Sequence, residues 1–92
     1  MKLARMKKQT VNIVSFSGVS HASRIFNAID LYLSLECKKV KISENIYHII
    51  VKCENGNIEQ CKRDISNMLE GILAYRTIIG INNVIYVDSY ER

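Results

Sequence analysis

The stretch that decides the fold is Val40–Gly80, VKISENIYHIIVKCENGNIEQCKRDISNMLEGILAYRTIIG. Its first part alternates β-branched and polar residues through Val40-Lys41-Ile42-Ser43. Glu44-Asn45 then forms a tight turn, and the run continues Ile46-Tyr47-His48-Ile49-Ile50-Val51-Lys52-Cys53. That pattern predicts a half-buried β-hairpin. Asn55-Gly56 is a turn signal, and Asn57 followed by Gln60 has the spacing of a helix capping box. From there Ile58, Cys61, Ile65, Met68, Leu69, Ile72, Leu73 and Ile79 recur at helical spacing, which predicts one long helix closing at Gly80.

The stripe on that helix covers an arc of about 160°, where ~100° suffices for a helix lying on a sheet. Two readings stand: the helix touches a sheet and a second helix, or its Leu69/Leu73 edge waits for another protein.

Working outward, Gln9–Phe16 reads as a first strand with Val11, Ile13, Val14 and Phe16 as its apolar content. Ser17-Gly18 breaks it, and Ser17 or Ser20 can cap a helix running to about Leu35. Ala22, Ile25, Phe26, Ile29, Tyr32 and Leu33 form the inward stripe of that helix. Leu31 and Leu35 point away from it and make a small exposed patch. After Gly80, Asn82-Asn83 turns the chain, and Val84-Ile85-Tyr86-Val87 can add a closing strand. The order β-α-β-β-α predicts an α+β two-layer domain, an antiparallel sheet with both helices on one face. Residues 1–8 form a basic lead segment, 9–81 the domain and 82–92 an extension.

Ninety-two residues allow one core. A hydrophobic fraction of 48% with 24% charged residues is that of a folded chain. No apolar run reaches the ~18 residues of a membrane span, and the basic start lacks the apolar core of a secretory signal. Cys37, Cys53 and Cys61 are an odd number, so separate thiols in an intracellular, cytoplasmic or nuclear compartment are expected.

No constellation for catalysis stands out. Gly18, Gly56, Gly71 and Gly80 are scattered, His21 and His48 lie on different elements, and the cysteines lack zinc-site spacing. The expectation is a chain that is not an enzyme and carries no metal or cofactor. A phosphate-binding arginine loop, as an acylphosphatase-like enzyme would need, is missing after the first strand. A KH domain's G-x-x-G loop is missing too. Tyr47 is the one aromatic suited to an RNA-recognition surface, and it reads as packing inward.

The net charge is +4, with cations clustered at Lys2, Arg5, Lys7 and Lys8 and at Lys38, Lys39 and Lys41. The second cluster is the candidate phosphate contact, or else a solvated strand end. A three-stranded sheet also leaves two open edges with no proline to blunt them. The first strand, through Val11, Ile13 and Ser15, is the expected pairing edge.

The chain resembles the small dimerising subunit of the KEOPS (EKC) complex, the CTAG/PCC-type family. The likeness runs through Phe16-Ser17-Gly18, Ala22, Ile25, Phe26 and Ala28. It continues in Cys61-Lys62-Arg63-Asp64-Ile65-Ser66-Asn67-Met68-Leu69 and Arg76-Thr77, covering roughly Val11 to Ile81. Two features depart from the pattern: a longer turn at Glu54-Asn55-Gly56-Asn57 and a chain that continues past the second helix. The resemblance implies a non-catalytic subunit supporting threonylcarbamoyladenosine modification of tRNA. Its helices would pack on the catalytic subunit through Leu31, Leu35, Leu69, Leu73 and Arg76. Its sheet edge would pair with a second copy or a small partner imitating one. The alternative is a stand-alone RNA-binding domain of ferredoxin-like or KH-like shape.

Overall fold

The computed structural model describes residues 9–53 and 57–89; the basic segment 1–8, residues 54–56 with the Asn55-Gly56 turn, and residues 90–92 lie outside the described residues. The elements run β1 (Gln9–Ser15), α1 (Gly18–Ala28) with a π-helical turn at Ile29–Leu33, β2 (Cys37–Lys41), β3 (Tyr47–Cys53), α2 (Ile58–Ile72), β4 (Tyr75–Ile79) and β5 (Val84–Ser89). The strands form one five-stranded sheet in the order β2-β3-β1-β5-β4. Both helices pack on the same face, α1 against β1, β2 and β3 and α2 against β1 and β4. This is the expected two-layer α+β class.

The sheet carries two strands beyond the expected three. The optional closing strand is present as β5, and β4 takes residues expected on the helix. β5 runs parallel to β1, with Ile13 opposite Ile85, while the other pairs are antiparallel. The physical reason lies in the connections. A hairpin reverses direction, but β1 and β5 are far apart in sequence and free to align.

The three central strands, β3, β1 and β5, alternate cleanly. Val11 and Ile13 of β1, Tyr47, Ile49, Val51 and Cys53 of β3, Tyr75 of β4 and Ile85 and Val87 of β5 are buried under the helices. Ala22, Ile25, Ala28 and Ile29 answer from the first helix, and Ile58, Ile65, Met68 and Leu69 from the second. Tyr47 packs inward, as expected. Tyr32, expected in the core, is exposed, because the π-helical turn changes the angular step between residues.

The second helix stops at Ile72, eight residues before Gly80. Ala74 takes a left-handed conformation at φ 58°, and the chain turns into β4. Ile79, expected on the helix, therefore belongs to a strand, and Gly80 lies in the β4–β5 connection. There Asn82 and Asn83 both have positive φ, 59° and 62°, a conformation asparagine tolerates in hairpin turns. At Gly80 a Cβ would sit 3.1 Å from the Tyr86 ring, a tight approach that the ring would have to relieve by shifting a few tenths of an ångström.

Asn57 caps α2 as expected, its Oδ1 accepting from the Gln60 amide at 3.2 Å. The Gln60 side chain does not fold back. It donates to Asp64 at 2.8 Å instead. Ser17 stands at the N-cap of α1 without a capping bond, its hydroxyl donating to Asp88.

Candidate functional site

Strand order corrects the expected pairing edge. β1 lies in the middle of the sheet, flanked by β3 and β5, so Val11, Ile13 and Ser15 are core residues. Ser15 is buried with its hydroxyl unsatisfied, a cost of about 1–3 kcal/mol. The chain's own C-terminal hairpin fills the place beside β1 that the resemblance gives to a second copy.

The open edges are β2 and β4, and both are guarded. Lys38, Lys39 and Lys41 line β2, where charge deters strand pairing. On β4 the Thr77 amide donates to Glu70 at 3.2 Å, and the Thr77 hydroxyl donates to the same carboxylate at 2.6 Å. The Ser66 and Thr77 hydroxyls are also hydrogen-bonded. The three lysines do not form one patch. Lys38 projects from the open face with Ile50 as its register partner, whereas Lys39 and Lys41 alternate to the helix side. Lys39 donates to Ser23 there at 2.8 Å.

The helix layer corrects a second expectation. Leu69 is 0% exposed and belongs to the core, so it offers no surface to a partner. Leu73 and Leu35 are half-buried and packed against the core. Leu31 is 71% exposed. Arg76 is exposed, on β4 rather than on a helix. Between the end of the π-helical turn and the start of α2 lies a groove of about 250 Å³, lined by Leu33, Leu35, Cys53, Gln60, Cys61 and Asp64 among others.

Cys53 and Cys61 are joined in a disulfide, not separate thiols as expected. The bond ties the end of β3 to the first turn of α2 and forms part of the groove wall. The β3–α2 turn places these residues together across eight positions, a proximity that cysteine counting does not reveal. Cys37 is the free cysteine among the described residues. Burial, helped by the charges of Asp30 and Glu36, pushes its thiol up to about 11, so it stays protonated near neutrality.

His21 and Tyr75, distant in sequence, share a hydrogen bond of 2.8 Å with their rings edge to face. Burial raises the Tyr75 phenol, partly offset by the Arg24 guanidinium. The contact pins α1 to β4. Lys62 is buried with its ammonium 3.3 Å from Glu59. Among the described residues no group of three or more His, Cys, Asp or Glu side chains is placed to hold a metal ion. No described helix is long and apolar enough to cross a membrane.

The open face of the sheet is a surface that sequence patterning left unmarked. Across it run Val40, His48, Val14, Tyr86 and Ile78, one from each strand. Phe16 extends this row at the end of β1, its ring nearly parallel to that of Tyr86, 13° between planes and 6.4 Å between centroids. Period-2 reading of Val84–Val87 places Tyr86 opposite Ile85 and Val87, and that alternation was the available signal. No family model, curated protein or solved structure matches this chain.

Proposed function

We propose that this chain is a non-catalytic interaction subunit of the KEOPS type, supporting threonylcarbamoyladenosine modification of tRNA by binding the catalytic subunit. The observation that carries the reading is the helix-side groove lined by Leu33 and Leu35, with Leu31 largely exposed two residues before it. A groove with a leucine wall, Leu33 and Leu35, facing the polar side chains of Asn57, Gln60 and Asp64 is suited to an amphipathic helix from another protein, which would set its apolar anchors on the leucines. The likeness over Val11–Ile81 supports the family.

In this reading Leu31, Leu35 and Leu73 are the contact residues, and Leu69 holds the helix from beneath. Pairing with a second copy, or a small partner imitating one, would use β2 or β4, where the guarding lysines and Glu70 weigh against it. The compartment is intracellular, cytoplasmic or nuclear. There the Cys53–Cys61 bond is subject to exchange with cellular thiols.

The test is co-expression with a KEOPS catalytic subunit. Co-elution that Leu31→Asp abolishes, with the variant's far-UV circular dichroism unchanged, supports the proposal. A folded wild-type chain that never co-elutes with the catalytic subunit refutes it. The alternative, a stand-alone RNA-binding domain, is favoured by one specific observation, the exposed aromatic pair on the open sheet face.

A further inference from the structure

We infer that the open face of the sheet is a binding surface for unpaired nucleic acid, with Phe16 and Tyr86 as its stacking platform. This goes beyond the helix-side docking proposed above and does not depend on it.

Three observations carry the inference. Phe16 is 46% exposed, Tyr86 42% and Ile78 63%, on the face without helices. Large side chains held on a sheet offer flat surface at little further entropic cost, and every base has a face that can stack on an aromatic ring. A cleft of about 200 Å³ lined by Phe16, Arg76, Ile78, Tyr86 and Asp88 opens beside the pair.

The charge on this face is the second observation. Strand alternation brings Lys38, Lys52 and Arg76 to the open face against two carboxylates, Asp88 on β5 and Glu36 beside Lys52, which leaves the face cationic by a single charge. Lys52 is paired with Glu36 at 3.3 Å. The sequence as a whole is cationic as well, with a formal net charge of +4. A polyanion complements this balance, and an acidic peptide without bases would leave the rings unused.

The third is size. Five strands at ~4.8 Å spacing and about 20 Å of length make a face of roughly 500 Å². That outline is sufficient for a few stacked nucleotides.

The experiment is fluorescence anisotropy of the full chain with labelled U12 and dT12, over a series of salt concentrations, with a 12-base-pair duplex as the contrast. Single strands are expected to bind, weakening with salt. Tyr86→Ala or Phe16→Ala should weaken binding about 5- to 150-fold, the loss typical of a base–aromatic stack. Circular dichroism and thermal melting establish that the variants are folded, and Tyr86→Phe should retain binding. U12 tighter than dT12, or the reverse, decides between RNA and DNA. Binding that both alanine variants leave intact, a preference for the duplex, or no binding at all would overturn the inference. So would a concentration-dependent dimer in sedimentation that Tyr86→Ala dissolves. None of these outcomes bears on co-elution with a catalytic subunit, so the two proposals fail separately.

Discussion

Leu69→Ala distinguishes a core leucine from a docking leucine. The side chain is wholly buried between α2 and the sheet. Truncation removes three carbons, worth about 2.4 kcal/mol at ~0.8 kcal/mol per buried methylene. A residual cavity of roughly 50 Å³ adds about 1 kcal/mol at ~24 cal/mol per Å³. The expected loss is therefore about 3–4 kcal/mol, a large share of the ~5–14 kcal/mol that a domain of this length holds. For a domain of this size each kcal/mol moves the melting temperature by about 4–8 °C, so a drop of about 12–30 °C is expected. The assay is urea and thermal unfolding under non-reducing conditions, with Leu31→Ala as the exposed control, expected within ~0.5 kcal/mol of the parent. A loss below about 1 kcal/mol at Leu69, or a larger loss at Leu31 than at Leu69, would refute this packing of α2 on the sheet.

Replacing both Cys53 and Cys61 by serine opens an eight-position loop closure and should cost about 2.5 kcal/mol against the oxidised parent on the chain-entropy relation, read from denaturant midpoints. Cys37, raised to about 11 in the folded chain, favours folding fully below its unfolded value of 9.0; that contribution fades as pH rises from about 9 to 11, and iodoacetamide labelling of the folded Cys53→Ser/Cys61→Ser chain should be slow at pH 8 and climb through the same window. Glu70→Ala uncovers the Thr77 amide on the β4 edge, so sedimentation should reveal concentration-dependent association that the parent lacks, with a stability loss of about 1 kcal/mol. Lys38→Ser should flatten the salt dependence of U12 binding by about 0.7 in log–log slope, while Lys39→Ser/Lys41→Ser together leave it unchanged, because only Lys38 of the three shares the open face.

Local pattern was enough to determine the class of this domain. The second hairpin strand, the Asn57 cap and the i, i+3, i+4 spacing of Ile58, Ile65, Met68 and Leu69 each follow from interactions a few residues long, and each is present in the structure. The first hairpin strand lies earlier than its pattern placed it, at Cys37–Lys41 rather than Val40–Ser43, and residues 42–46 form a longer connection in place of the tight Glu44-Asn45 turn. Even so, the helix end misled, because Ile72 and Ile79 are seven apart and continue a helical rhythm. The chain leaves the helix at Ala74 by a left-handed step that no glycine announces. Tyr75-Arg76-Thr77-Ile78-Ile79 becomes a strand because β5 offers it a ladder and the core takes Tyr75. Which strand stands at the edge, which leucine is under the helix, and which cysteines meet are relations between distant residues. Only the assembled sheet decides them, through the parallel pairing of β5 with β1 that turns an apparent edge into the centre. The same pairing sets Tyr86 beside Phe16 and leaves their rings facing solvent.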